Sequence, residues 1–210
     1  MDYQTKIKEF NSKMLSFDTI DSDTCKKLTE LILESEDKIL SFGPSNYPKA
    51  PTNTITTRHL YYNLLDFGWD ELEIVKKSIV KVASEVIGGN SFYVKMWANI
   101  FREGENIDLH IHHGEPIVEN EAFKKNIFKT ICGNLFLSGD KHSDTIYYFN
   151  EVRTEFENKS GDVHYFSCIV PHETLPYKGE LRVGLAFDIY SEDFFEGIGM
   201  MTPRDLKLVK

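Results

Sequence analysis

The chain has 210 residues, 41% of them apolar and 13% aromatic, with a formal net charge of −9. That length suits one domain with a sizeable core. The negative balance argues against general nucleic-acid binding, which needs a basic footprint, and against an anionic membrane surface. Three cysteines, Cys25, Cys132 and Cys168, form an odd and sparse set that reads as reduced thiols in a cytoplasmic protein. The sequon at Asn158 would then be idle. The opening MDYQTKIKEF lacks the apolar run of a signal peptide, and no stretch approaches the roughly 20 apolar residues of a membrane span.

In chain order, DSDTCKKLTELILESEDKIL places Leu28, Leu31, Ile32 and Ile39 near a helical period behind an Asp/Ser start signal. SFGPSNYPKAPTNT follows as a loop. Asp70 and Glu73 have capping-box spacing. Leu72, Val75, Ile79, Val82, Ala83 and Val86 then line one face of a second helix, which Gly88-Gly89 stops. After Asn90 the pattern changes to short aromatic and β-branched runs: SFYVKMWANIF, KTICGNLFLSG, DTIYYF, RTEFEN, DVHYFSCIV and ELRVGLAFDIY. Six short strands in about 100 residues predict a sandwich or jelly roll rather than a βαβ sheet. The expected organisation is a helical extension over 1–90 packed on a β-fold over 91–210.

ENIDLHIHHGEP carries the chemistry-bearing cluster. Side chains two apart on a strand share a face, so Asp108, His110 and His112 point one way if the segment is extended, and His113 the other. An H-x-H pair offers two converging imidazoles to a divalent metal. A third ligand must come from elsewhere, and His172, just after Pro171, is the candidate. Ten residues later Arg182 opens an apolar strand. A guanidinium facing a β-core needs an anion, either a protein carboxylate or the carboxylate end of a small acid.

The stretches WANIFREGENIDLHIHH, ICGNLFLSGD, DTIYYF and NKSGDVHYFSCIVPHETLPYKGELRVGLAFDI, in that order, resemble the 2-oxoglutarate and Fe(II)-dependent oxygenases, nearest to a branch frequent in phages and marine bacteria. The resemblance covers roughly residues 92 to 190; the first ninety residues match nothing usable. It implies a double-stranded β-helix, a cupin-like jelly-roll barrel flanked here by the helical layer. It further implies Fe(II) held by His110 and His172, and 2-oxoglutarate paired with Arg182. The activity implied is hydroxylation of a small molecule or amino-acid side chain with dioxygen, releasing succinate and CO2.

Two departures stand out. The superfamily usually has a carboxylate two residues after the first His, where this chain has His112, and often a Ser or Thr two residues after the Arg, where it has Gly184. The third ligand is therefore His112, or Glu115 in a shifted pair with His113, or Asp108 in a reversed pair with His110. Trp97, Asn99 and Phe101 share a strand face, and Asn99 or Asn134 would donate to the cosubstrate.

Smaller features take bland readings: His164 as structural, His59 as a surface residue, Cys168 as a small hydrophobe. EDFFEGIGMM would cover the barrel or a second copy of the chain in a homodimer. The competing functions are a three-histidine cupin-type iron dioxygenase without 2-oxoglutarate, for which G-x5-H-x-H from Gly104 to His112 is a partial fit, and a non-catalytic metal- or ligand-binding barrel.

Overall fold

The computed structural model describes residues 2–43, 55–113, 119–139 and 144–210, and the side chain of residue 57 is not described. The loop expected at 41–54 and the alternative ligand Glu115 thus lie largely or wholly outside the described residues. Among the described residues, nine strands form two antiparallel sheets. The larger sheet has the order β1-β6-β3-β8-β2-β9, with β1 Ser16–Thr19, β2 Phe92–Arg102, β3 Thr130–Ser138, β6 Asp162–Phe166, β8 Leu181–Ser191 and β9 Lys207–Val209. The smaller has the order β5-β4-β7, with β4 Thr145–Phe149, β5 Val152–Phe156 and β7 His172–Thr174. The expectation of a closed barrel is corrected: the described strands make two sheets, and β1 and β9 end the larger one without pairing to each other.

Register explains how the large sheet serves two purposes. Arg182, Gly184, Ala186 and Asp188 of β8 lie opposite Phe101, Asn99, Trp97 and Lys95 of β2. On its other side β8 sets Gly184, Ala186 and Asp188 opposite Phe136, Asn134 and Cys132 of β3. Alternation puts this set on one face. The intervening Val183, Leu185, Phe187 and Ile189 belong to a core shared with Leu28, Ile32, Val75, Ile79 and Val82 of the helices. One face therefore packs on helices, and the other is left to build a site.

The chain opens with the short helix α1 (Tyr3–Phe10); α2 (Ser22–Glu34), α3 (Glu36–Leu40) and α4 (Leu72–Val86) then supply the covering layer. Asp21 caps α2 as its start signal predicts, accepting from the Thr24 amide at 2.9 Å. The single run expected from 21 to 40 breaks at Ser35. The capping box at Asp70 does not form: Glu71 occupies the cap position without a side-chain bond, and Glu73 pairs with Lys76 at 2.6 Å instead. A second buried cluster, with Cys132, Tyr147, Phe166, Cys168, Val170, Tyr190, Phe194 and Phe195, joins the two sheets. It absorbs the phenylalanines of EDFFEGIGMM, while Met200 and Met201 stay exposed. Asn150 and Glu151, both at positive φ (48° and 70°), make the two-residue turn between β4 and β5, the backbone shape that hairpin twist favours.

No helix among the described residues is long and apolar enough to cross a membrane.

Candidate metal centre

The segment carrying His110 lies against β7. His110 and His172 exchange both backbone hydrogen bonds, at 3.1 and 3.0 Å, and the Thr174 amide donates to the Ile107 carbonyl at 3.0 Å. The His112 amide reaches the Cys168 carbonyl at 3.1 Å. These bonds bring residues sixty positions apart into one ring cluster. Centroid separations are 4.3 Å for His110–His172, 5.0 Å for His112–His172 and 5.8 Å for His110–His112.

Each imidazole is oriented through Nδ1. His110 Nδ1 donates to the Asp108 carbonyl at 2.9 Å and His172 Nδ1 to the Val170 carbonyl at 3.0 Å. His112 Nδ1 is bonded to the Asp188 carboxylate. Oxygens of this kind accept, so the Nδ1 atoms carry the protons and Nε2 is the basic nitrogen of each ring. One ligand nitrogen from each of the three rings lies within 4.8 Å of the others, and the Nε2 atoms of His112 and His172 are 3.2 Å apart. Two nitrogen lone pairs at that distance are stable only with positive charge between them. Three imidazoles aimed at one point exceed what one proton can use, and they match a divalent transition metal. Burial, with His110 and His112 beside it, holds His172 well below the usual imidazole range, which keeps it in the neutral form a metal requires.

The other sequence candidates fall elsewhere. The Asp108 carboxylate is exposed and accepts from Asn106 at 2.9 Å; only its carbonyl serves the cluster. His113 turns away to pack on Phe123 and Tyr190. Asp188, which sequence reasoning did not single out, is buried behind His112. Its carboxylate also accepts from Cys132 Sγ at 3.1 Å and from the Tyr190 hydroxyl at 3.4 Å. Burial raises the Asp188 pKa, but His112 and its hydrogen bond outweigh that, and the net direction is down. A strand-alternation signal was available: Asp188 is six residues after Arg182, on the same face.

Arg182 stands at the far end of the same cavity. Its guanidinium donates to Thr145 Oγ1 at 3.1 Å and lies over Phe101 and Phe136, 5.3 and 5.8 Å from their centroids. Among the described residues no carboxylate lies within ion-pair distance of it. Burial lowers its pKa to about 10, so it remains a cation at neutral pH. Gly184 and Ala186 lie between Arg182 and Asp188 on the strand face and keep the cavity floor low. A Cβ at Gly184 would meet the Leu135 carbonyl oxygen at 3.0 Å, tighter than an ordinary contact. Asn134 lines the cavity and donates to the Tyr147 hydroxyl at 3.2 Å. Asn99 also lines it, and its buried Oδ1 has no partner among the described residues. A second hollow of about 280 Å³, bounded by Thr56, His59, Trp97 and Ile107, opens on His110 and His112; the first encloses about 60 Å³.

Three bland readings are refined. His59 is half-buried, its ring centroid 5.6 Å from that of Trp97. His164 is buried beside Tyr147, 3.4 Å from its hydroxyl. Cys168 is buried, which raises its thiol, yet Cys132 and His113 beside it outweigh burial and the net direction is down.

No known protein family and no curated protein matches this chain as a sequence. Its fold does have solved counterparts. A Pseudomonas putida prolyl-4-hydroxylase is similar at a TM-score of 0.58 and 11% identity, over 89% of this chain and 98% of that one. A nickel complex of the non-haem monooxygenase ThoJ is similar at 0.61 and 9%, over 90% and 77%. The viral collagen prolyl hydroxylase of Paramecium Bursaria Chlorella virus-1, in its 2OG complex, is similar at 0.50 and 10%, over 87% and 98%. The chain thus shares its fold with these hydroxylases and this monooxygenase.

Proposed function

We propose that this protein is an Fe(II)- and 2-oxoglutarate-dependent dioxygenase that hydroxylates a small molecule or an amino-acid side chain. The two sheets are then the walls of a double-stranded β-helix over 91–210, with 1–90 as its helical cover. The observation that carries the reading is the pairing of two features in one cavity. Three imidazoles converge at one end, and at the other is a buried guanidinium that no described carboxylate neutralises.

His110, His112 and His172 would hold Fe(II), and Arg182 would bind the distal carboxylate of 2-oxoglutarate with Thr145 beside it. Asn99 and Asn134 line the space between and would orient the cosubstrate. Bound together, Fe(II) and 2-oxoglutarate supply oxidising power: dioxygen is consumed, 2-oxoglutarate becomes succinate and CO2, and one oxygen atom enters a substrate C–H bond. The chain's own part is orientation and exclusion of water. Trp97 and Ile107 wall the approach from the larger hollow, the side from which substrate would reach His110 and His112. The neighbouring prolyl hydroxylases favour an amino-acid side chain among the substrate classes.

A cupin-type enzyme without 2-oxoglutarate has no use for Arg182, and a non-catalytic barrel has no use for three rings locked in one tautomer. The test is succinate release from 2-oxoglutarate with added Fe(II) under air, for the native chain, His172→Ala and Arg182→Ala. Turnover abolished by the first substitution and raised in KM by the second supports the proposal. Metal binding with no 2-oxoglutarate binding would overturn it.

A further inference from the structure

The three-histidine set leaves a charge unaccounted for. Three neutral imidazoles give Fe(II) no anionic donor, whereas the superfamily that the sequence resembles usually has a carboxylate at the position of His112. A carboxylate is nevertheless present, one imidazole removed. Asp188 comes from β8 rather than from the histidine segment, and it meets His112 at Nδ1, the atom opposite the converging Nε2.

We propose that Asp188 is the carboxylate of this metal centre, acting through the His112 ring: it holds Nε2 on the metal and passes its negative charge to the centre across the imidazole. The inference rests on the metal-site reading above. It makes Asp188 a positioning residue, not a ligand. Three observations support it. The His112 side chain is only 3% exposed, so the carboxylate–imidazole contact is shielded from water and its charge is poorly screened. Asp188 is itself held by Cys132 Sγ and the Tyr190 hydroxyl, which fixes the carboxylate and sets the ring plane. His112 turns Nδ1 to a carboxylate, where the Nδ1 atoms of His110 and His172 turn to backbone carbonyls. A carboxylate on the distal nitrogen of a ligating histidine raises its basicity and commonly governs metal affinity by 10- to 100-fold.

His112, Cys132 and Asp188 also form a potential ligand set of their own, with ligand atoms within 4.8 Å. A metal seated there would contact a thiolate, and this separates the two arrangements spectroscopically.

The experiment is an anaerobic Co(II) titration of the full chain followed by absorbance, for the native protein, Asp188→Asn, His112→Asp and the double variant. Folding is checked by circular dichroism. The expected result is one Co(II) per native chain with weak d–d bands and no thiolate charge-transfer band. Asp188→Asn should weaken Co(II) by about 10- to 100-fold and shift those bands. In the His112→Asp background, where the carboxylate is a direct ligand, Asp188→Asn should change affinity by less than about threefold, because the coupling is gone. An equal loss in both backgrounds would mean a merely structural role and would overturn the inference. So would native-like Co(II) binding by folded Asp188→Asn, or an intense thiolate band. If the native chain binds no Co(II), the metal-site reading itself falls and takes this inference with it. Should Asp188→Asn fail to fold, the Zn(II)-loaded native chain decides. Labelled with ¹⁵N-histidine, it should show the Nδ1–H proton of His112 farther downfield than those of His110 and His172, and equal positions would overturn the inference.

Discussion

His112 and His172 face each other nitrogen to nitrogen across 3.2 Å, although sixty residues separate them in the chain. The backbone pairing of His110 with His172 and the bond from the His112 amide to the Cys168 carbonyl set that approach. Backbone bonds of the sheet thus set where the rings stand. Metal binding should accordingly stabilise the fold rather than create it. At a free metal concentration 100 times the Kd, the gain is about 2.7 kcal/mol. Thermal unfolding with and without Co(II) checks this, and His110→Ala and His172→Ala should each abolish the upward shift in Tm.

Arg182 makes a second, separable prediction. Its removal leaves the three imidazoles untouched, so Arg182→Gln should bind Co(II) as the native chain does. Loss of a buried charge-assisted pair should raise the Kd for 2-oxoglutarate by about 10²-fold, corresponding to about 3 kcal/mol. Arg182→Lys, which keeps the charge and loses the fork, should fall between the two. Isothermal titration with 2-oxoglutarate and Co(II) reads both effects.

Stability should depend on pH through the buried histidines. Burial depresses the pKa of His164, His59 and His172 below the ordinary imidazole value of 6.5. Each is neutral in the folded chain where the unfolded chain would take up a proton. The stabilisation is complete above about pH 6.5 and is lost as pH falls through the lowered folded-state values. Each such proton contributes a slope of up to about 1.4 kcal/mol per pH unit. Urea midpoints of the metal-free chain should fall from pH 7 to pH 5, and less steeply for His164→Phe. His113, where Cys168 and Asp188 outweigh burial and raise the pKa, works the other way, so the slope difference is the readout: equal slopes for the native chain and His164→Phe would refute a neutral His164 ring.

Gly184 offers a test of the sheet. Restoring the Ser that the superfamily often carries would push a Cβ to 3.0 Å from the Leu135 carbonyl oxygen, next to the irregularity in register between Phe136 and Ser138. Gly184→Ser should cost about 1–3 kcal/mol by urea denaturation and bring no gain in 2-oxoglutarate affinity.

Much of this was legible in the sequence where the physics is local. Alternation marked the long strands, and Trp97, Asn99 and Phe101 do share a face. His110, His112 and His172 meet in space, whereas the Asp108 carboxylate is exposed and accepts from Asn106. What escaped was set by distant partners. The strand β1 is four residues long and exists through pairing with β6. The capping box at Asp70 yielded to a turn that hands the cap position to Glu71. His59 looked like surface because nothing nearby in the chain announces Trp97. Asp188 was hidden in an apolar run, although counting by twos from Arg182 reaches it.

Arg182 and Asp188 share one strand, about 20 Å apart at strand rise, and the residues between them alternate strictly between cavity and helices. A slip of β8 by a single position would turn both charges toward the helical layer and drive Val183 and Phe187 into the binding space. Mutations far from the chemistry that loosen β8 should therefore disturb Arg182 at one end of the chamber and Asp188, behind His112, at the other in the same stroke.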